Sequence, residues 1–341
     1  MAALDLTAFA VARHIRVQGR PTGVAAHPRL PFVYALTPDN GTIHEIRTDT
    51  LALSRKLAVA GSALSMRLSE DGKFLYVLCR QPRCLLRFST EGFRVDGRVT
   101  LPAEPVDFDL DRESKQVAVS YGATGTLSLF DAMGHGAAVP VEAAGEINTI
   151  RFRSDSKALI AADVSGQMLS LYDTAKRELV VNLPLGLRPD HICANSDGGQ
   201  LFITGAGADS VVVVFPYYTP YVAETVLAGH APGAMAATGL PKTAPQYLFV
   251  ANRTSGDVSV LNIQKRHVVA VTPVGAGPNY ITLTPDDQYA LVLNQDSGDV
   301  AVIRLLNITR AATDFKRSRK GPLFMMIPVG SKPVSAAVVR I

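Results

Sequence analysis

The chain of 341 residues has no tryptophan and only three cysteines. Three cysteines are too few for a scaffold built on disulfides. No stretch approaches the roughly 18 consecutive apolar residues of a membrane-spanning helix. The formal net charge of +4 is too small to indicate nucleic-acid binding by itself. What the sequence does have is 47% hydrophobic residues, which is ample for an ordered core.

Two of the cysteines flank a short loop. Cys79 and Cys84 are separated by residues 80–83 and should face each other across two strands. We expect free thiols, because a disulfide that closes so short a loop stabilises little. The N-terminus has an early acidic residue, Asp5, and lacks a basic segment followed by an apolar one, so no signal peptide is predicted. The expected location is the cytoplasm, or outside it if a signal peptide has been removed.

A turn of small residues and proline, followed by an alternating apolar strand, occurs eight times along the chain. The steps between successive turns are 42, 42, 42, 42, 43, 46 and 55 residues. The proline position is occupied by Pro21, Ala63, Pro105, Ile147, Pro189, Pro232, Pro278 and Pro333. A near-constant period of this length indicates an array of supersecondary units, each too small to bury its own apolar face.

The unit that begins near Val274 shows what each repeat contains. After a turn at Gly277, the segments 280–284, 288–294 and 299–303 alternate as strands and are separated by short loops. A fourth strand lies between units. Four antiparallel strands per repeat predict one all-β domain, a seven-bladed β-propeller of four-stranded blades around a central channel. The predicted units are 17–58, 59–100, 101–142, 143–184, 185–227, 228–273 and 274–328, and the terminal segments 8–17 and 329–341 are predicted to close the ring.

Two motifs recur within these units. One is Ser/Thr-Pro-Asp-x-x-x-Tyr-x-x-Val, and the other is Asn-x-x-Ser-Gly-x-Val-x-Val-Ile/Leu. They resemble the YVTN repeats of seven-bladed propellers, which include lactonase-like and surface-layer-like proteins. The resemblance covers nearly the whole chain and is sharpest in units two, six and seven. WD-type propellers are excluded, since a chain without tryptophan cannot carry their Trp-Asp signature.

The resemblance implies a possible enzymatic site. Some relatives open sugar lactones with Arg and His at the mouth of the channel, and the segment 186–191 is similar to that environment, with Arg188 and His191 as candidate catalytic residues. The segment 277–280 matches the family better in spacing but carries neither residue type. Other relatives hold haem d1 or a quinone. No arrangement of axial ligands stands out here, so no cofactor is predicted.

The inner strand of each blade predicts a charged row on the channel wall. One face of these strands is apolar, and the other should line the channel. On that face Arg67, Asp109 and Arg151 come from consecutive blades. Either the arginines neutralise Asp109 structurally and keep it ionised, or the row holds a small anion or polar metabolite. The candidate ligand-binding residues are Arg20, Arg67, Asp107, Asp109, Arg151, Arg188, Asp190, His191 and Tyr280. His191 with Asp107 and Asp190 would be acceptable metal ligands, but nothing fixes their spacing, so no metal is predicted.

An aromatic loop at 215–221 and a basic run at 316–320 suggest a different function. Aromatic rings beside cations are what single-stranded nucleic acid requires. The residues concerned are Tyr217, Tyr218, Tyr221, Lys316, Arg317, Arg319 and Lys320. The simpler interpretation is that the tyrosines pack on their own blade and the basic run is solvated, since the two segments belong to the fifth and seventh blades.

The leading functional hypothesis is a binding or scaffold module. No nucleophile–base pair, metal cluster or phosphate-binding loop stands out in the sequence. We therefore expect a monomeric, non-catalytic propeller that does not insert into membranes and that binds a small polar ligand or a protein partner. A lactonase-like hydrolase and a single-stranded nucleic-acid binder are the alternatives.

Overall fold

The computed structural model describes residues 1–59, 62–134, 136–143, 145–239, 245–308, 323–330 and 332–339. Within these ranges the chain forms seven blades, each a sheet of four antiparallel strands from one repeat. This confirms the predicted fold class, a seven-bladed β-propeller. The described residues contain no helix long and apolar enough to cross a membrane.

The strands follow one another in the order of the sequence. An N-terminal hairpin consists of β1 (Ala2–Asp5) and β2 (Ala10–His14). The first blade contains β3 (Gly23–Ala26), β4 (Phe32–Thr37), β5 (Thr42–Arg47) and β6 (Ala52–Ala58). The second contains β7 (Ala63–Leu68), β8 (Phe74–Cys79), β9 (Cys84–Ser89) and β10 (Arg94–Thr100). The third contains β11 (Asp107–Leu110), β12 (Gln116–Ser120), β13 (Thr126–Asp131) and β15 (Pro140–Glu142), while the short β14 (Gly136–Ala137) pairs in parallel with β10.

The remaining blades repeat this order. The fourth contains β16 (Ile147–Phe152), β17 (Ala158–Asp163), β18 (Met168–Asp173) and β19 (Glu178–Pro184). The fifth contains β20 (Arg188–Ala194), β21 (Leu201–Ala206), β22 (Ser210–Phe215) and β23 (Tyr221–Leu227). The sixth contains β24 (Pro232–Ala237), β25 (Tyr247–Asn252), β26 (Asp257–Asn262) and β27 (His267–Pro273). The seventh contains β28 (Pro278–Leu283), β29 (Tyr289–Asn294), β30 (Asp299–Arg304) and β31 (Leu323–Pro328).

The chain divides into two compact units. The first comprises Met1, residues 15–188 and residues 339–341, and contains the first four blades. The second comprises residues 2–14 and 189–338, with the remaining three blades and the N-terminal hairpin.

The core of each unit lies between neighbouring blades. In the first unit Tyr34 of β4 and Val77 of β8 belong to one buried cluster. In the second unit Phe249 of β25 and Val292 of β29 do the same. Successive residues 75–79 are all at most 1% exposed, so both faces of β8 are covered. Central strands buried on both faces explain why their sequences are continuous apolar runs rather than strictly alternating ones.

The N-terminal segment forms a hairpin in which β2 pairs with β1. The local reason is the Asp5 carboxylate, which accepts hydrogen bonds from the backbone of Thr7 at 2.7 Å and Ala8 at 3.3 Å and so closes a tight turn. The hairpin packs on the seventh blade, where Phe9 lies 4.7 Å from Phe324 between ring centroids. Residues 332–339 have no assigned strand. That the segments 8–17 and 329–341 close the ring stays a prediction.

Candidate functional site

Three inner strands of the first unit, β7, β11 and β16, bring four charged side chains together. Asp107 and Asp109 lie two residues apart on β11 and therefore on the same face, while Phe108 between them is fully buried on the other. Arg67 comes from β7 and Arg151 from β16. We call these four residues the Arg–Asp network. Strand alternation predicts the same face for these residues.

Asp107 lies at the centre of the network. Its Oδ2 accepts hydrogen bonds from Arg151 Nη1 at 2.6 Å and from the backbone N–H of Ile150 at 3.2 Å. Its Oδ1 is 3.6 Å from Arg67 Nη2. The sequence had assigned the central position to Asp109. In the structure the short ion pair of Arg151 is with Asp107 instead.

Arg67 donates a hydrogen bond to the described part of the chain through one of its nitrogens. Its Nε donates to the carbonyl oxygen of Phe108 at 2.7 Å, and its guanidinium carbon lies 5.6 Å from the centre of the Phe108 ring. The contacts with Asp107 and with Asp109 are both 3.6 Å, longer than a hydrogen bond. Among the described residues, therefore, neither terminal nitrogen of Arg67 has a hydrogen-bond acceptor. The side chain is 32% exposed.

Asp109 occupies the driest place in the network. Its side chain is 14% exposed, and its Oδ2 accepts a hydrogen bond from the backbone N–H of Phe152 at 2.8 Å. Burial raises the pKa of Asp109, and this effect outweighs the opposing charges of Arg67 and Arg151. The sequence-based expectation that the two cations would dominate and hold Asp109 ionised therefore has the balance reversed, since desolvation is the larger effect.

A groove with a volume of about 500 Å³ begins beside Arg67 and Asp109. It lies between the turns that follow β7 and β11, which are joined by a hydrogen bond from the Glu70 N–H to Ser114 Oγ at 3.2 Å. Its lining mixes apolar and charged side chains: Met66, Arg67, Leu68, Glu70, Asp109, Leu110, Asp111, Arg112 and Ser114. Arg67 therefore lines a groove that is large enough for a small polar molecule.

The other predicted ligand residues serve different local roles. In the second unit, His191 Nε2 is 3.5 Å from Asp190 Oδ2, and both side chains are well exposed. The Tyr280 hydroxyl donates to the carbonyl of Ala336 at 3.1 Å, and burial raises its pKa. This hydroxyl is thus engaged in packing the C-terminal segment. In the first unit Arg20 and Arg188 are exposed.

The structure also reveals a pair that the sequence gave no means of finding. His230 Nδ1 is 2.7 Å from Asp209 Oδ2, and Asp209 Oδ1 accepts from the backbone N–H of Ala231 at 3.0 Å. The hydrogen bond from His230 is the main reason why the pKa of Asp209 is lowered. The two residues lie in separate loops, 21 positions apart. Within the described ranges no three His, Cys, Asp or Glu side chains gather as a metal site.

The predicted nucleic-acid residues fall into two groups. Tyr217, Tyr218 and Tyr221 lie in the loop between β22 and β23 and at its end. The basic residues Lys316, Arg317, Arg319 and Lys320 lie outside the described residues.

The chain matches one family model and is similar to several solved structures. The family model "Lactonase, 7-bladed beta-propeller" matches residues 149–327. Hydrazine synthase from Kuenenia stuttgartiensis is similar with a TM-score of 0.65 and 16% identity, over 86% of this chain and 98% of that one. A functionally unknown protein from Desulfotomaculum acetoxidans has a TM-score of 0.66 and 13% identity, over 88% and 97% of the two chains. A dihydro-haem d1 dehydrogenase has a TM-score of 0.67 and 13% identity, over 89% of this chain and 65% of that one. Among curated protein sequences no match is found. At these identities the solved structures show a common fold only.

Proposed function

This chain belongs to the family of seven-bladed β-propeller lactonases, and we propose that it is a binding module that holds a small carboxylate- or phosphate-bearing molecule at the Arg–Asp network. The observation that carries this proposal concerns the terminal nitrogens of Arg67, of which Nη2 lies 3.6 Å from Asp107 Oδ1, within the range of an ion pair but beyond that of a hydrogen bond. Its two terminal nitrogens lack a hydrogen-bond acceptor among the described residues, although the guanidinium is fixed in place through Nε. A planar guanidinium held in this way binds carboxylate or phosphate through two parallel hydrogen bonds.

Within the Arg–Asp network both aspartates oppose an anion at Arg67 only weakly, while the groove beside it carries Arg112 and the acidic residues Glu70 and Asp111. Asp107 is already engaged by Arg151 and by the Ile150 N–H. Asp109 has a raised pKa, so its neutral form is favoured relative to an ordinary carboxyl. An anion beside Asp109 disfavours its charged form further, because like charges repel.

Isothermal titration calorimetry with a panel of small mono- and dicarboxylates and phosphate esters tests this proposal. Arg67→Lys keeps the positive charge but removes the planar fork, and we expect it to weaken binding about tenfold, or roughly 1.4 kcal/mol. Arg47→Lys is the matched control, because Arg47 is an exposed arginine paired with Asp49. Equal loss in both variants, or full affinity in Arg67→Lys, would contradict a site at Arg67. Absence of binding across the panel would refute the binding of small anions altogether.

Lactone hydrolysis is the second candidate, and the family match over residues 149–327 is the observation that favours it. Arg188 and His191 are the residues implied by the family resemblance. The His230–Asp209 pair is an alternative base, since a carboxylate that orients an imidazole leaves the other ring nitrogen available to accept a proton. The opening of sugar lactones would be measured through the protons that it releases, for the wild type and for Arg188→Ala, His191→Ala and His230→Ala. Turnover that is lost in one of these variants would support hydrolysis, and turnover no faster than the uncatalysed reaction would exclude it.

A further inference from the structure

An aromatic loop of the second unit projects into solvent. It connects β22 and β23, and Tyr218 within it is 104% exposed, while Tyr221 is 53% exposed. Tyr221 stacks on Phe215 with 5.4 Å between ring centroids and 15° between the ring planes. Large aromatic side chains gain free energy when they are buried, so a loop that leaves them in water has an available contact surface.

Two prolines restrict the backbone of this loop. Pro216 and Pro220 fix φ on either side of Tyr218. Tyr218 itself has a φ of 58°, in the left-handed region. A tyrosine side chain has only two rotatable bonds, so it loses little conformational entropy when a partner holds its ring in place.

A basic turn lies directly beside this aromatic loop. It connects β26 and β27 and contains Lys265 and Arg266, with His267 at the start of β27. The Arg266 guanidinium is 6.0 Å from the centre of the Phe215 ring and forms an ion pair with Glu224. The turn is fixed by Asn262, whose side chain accepts from the Lys265 N–H at 2.8 Å and whose carbonyl accepts from the Arg266 N–H at 2.7 Å.

These contacts identify a cation that the sequence did not pair with the aromatic loop. The sequence offered the run at 316–320 of the seventh blade, whereas the structure places the turn of the sixth blade against the loop. Glu224 compensates Arg266, so the excess positive charge comes from Lys265, which is exposed. We refer to Phe215, Tyr218, Tyr221, Lys265 and Arg266 together as the aromatic–basic surface.

We propose that the aromatic–basic surface binds single-stranded nucleic acid. Tyr218 and the Tyr221–Phe215 stack would offer two platforms for unpaired bases, and Lys265 would contact the phosphate backbone. Stacking on aromatic rings beside cations is the usual basis of sequence-tolerant single-strand binding. Duplexes fit less well, because the faces of their bases are already covered by neighbouring base pairs. This surface is separate in sequence and in residues from the Arg–Asp network.

Fluorescence anisotropy of the full chain with labelled oligothymidine or oligouridine of about 20 nucleotides tests the proposal. Tyr218→Ala removes one stacking platform and should weaken binding about tenfold, while Tyr218→Phe keeps the ring and should restore most of the affinity. Since Tyr218 is fully exposed, neither change should alter the thermal midpoint of unfolding by more than the exposed control Lys176→Gln does.

Lys265→Gln tests the electrostatic part. It should reduce the slope of log affinity against log salt by about 0.7, the value for one phosphate contact to a single strand. Lys176→Gln is the matched control, because Lys176 is exposed in the corresponding turn between β18 and β19. Any of four results would overturn the proposal. They are equal binding by the wild type and Tyr218→Ala, equal salt slopes for the two lysine variants, equal affinity for duplex DNA of the same length, and no binding at 50 mM salt.

Discussion

Asn substitutions at Asp107 and Asp109 compare two carboxylates on one strand that the structure assigns different roles. Asp107→Asn removes the charge that pairs with Arg151 at 2.6 Å, although the new amide oxygen can still accept from the Ile150 N–H. A hydrogen bond between charged groups contributes about 1.5–3 kcal/mol. Arg151 is 33% exposed, so water screens part of this energy. We therefore expect a loss of about 2 kcal/mol at pH 7, in the lower half of that range.

Asp109→Asn should behave differently. The amide oxygen can keep the hydrogen bond from the Phe152 N–H at 2.8 Å, and the contact with Arg67 at 3.6 Å is too long to be a hydrogen bond. The substitution also removes a carboxyl that is costly to ionise in its dry site. Because the kept hydrogen bond and the removed cost of ionisation offset the lost charge, the expected change in the free energy of unfolding is within about 0.5 kcal/mol.

Urea and thermal unfolding measure both variants, with Asp39→Asn as an exposed control in the 3-10 turn Pro38–Asn40. An unfolding entropy of about 2.1 cal/mol/K per residue gives about 0.7 kcal/mol/K for a chain of 341 residues. A loss of about 2 kcal/mol in Asp107→Asn then lowers the midpoint by about 3 °C, against less than about 1 °C for Asp109→Asn. An Asp109→Asn loss as large as that of Asp107→Asn, or an Asp107→Asn midpoint equal to that of the control, would refute this division of roles.

Two further predictions concern pH and backbone geometry. Because the folded pKa of Asp109 is raised above its ordinary value of 3.8, the native protein binds more protons between the two pKa values. The contribution of Asp109 to stability is therefore full below about pH 4 and is lost as pH rises through the folded pKa. The free energy of unfolding of the wild type relative to Asp109→Asn should then fall from pH 4 to 7. A difference in urea unfolding that stays flat or rises would contradict this prediction. Gly277 has a φ of 65°, and an added Cβ would collide with the Asp296 carboxylate, so Gly277→Ala should cost at least about 1 kcal/mol. Gly23→Ala, where nothing lies within 4 Å of the new Cβ, should change stability by no more than about 0.5 kcal/mol, and equal losses in urea unfolding would disprove the strain argument.

The blades were predictable because each depends on local patterns. Turn residues recur at a nearly constant spacing, and the apolar segments between them have the length of single strands. The face of each inner strand was predictable too, because side chains alternate with period two. This placed Arg67, Asp109 and Arg151 on the same side as Asp107.

The pairing within the Arg–Asp network was not predictable. Two residues along a strand span about 7 Å, a distance that an arginine side chain can bridge, so Arg151 can reach either aspartate. The choice depends on the relative stagger of β11 and β16, and the pairing of β16 with β17 is shifted by an irregularity between Ile147 and Thr149. Such a shift leaves no mark on the alternation. The His230–Asp209 pair was equally out of reach, since it joins two loops whose approach depends on the packing of whole blades.

Some residues recur at the same position in several blades, and these are the residues that build a blade. A hairpin serine accepts a hydrogen bond from the backbone of the loop before the first strand in three blades, as Ser165 with Glu146, Ser255 with His230 and Ser297 with Ala276. Residues that recur in this way are explained by the folding of each unit.

The charged network and the exposed tyrosine do not recur. The positions equivalent to Arg67, Asp109 and Arg151 in the other blades are occupied by Ala25, Cys193, Ala236 and Thr282. Those four blades form the same four-stranded sheet without a charge at this place. Likewise, the turns between third and fourth strands of the first, second, fourth, fifth and sixth blades share a positive φ at one residue, from 45° at Phe93 to 60° at Arg177, with Tyr218 at 58°. The backbone repeats there while the side chain does not. The common blade fold therefore does not explain the presence of Arg67 or Tyr218, and both proposed sites lie at positions where the repeats differ in sequence.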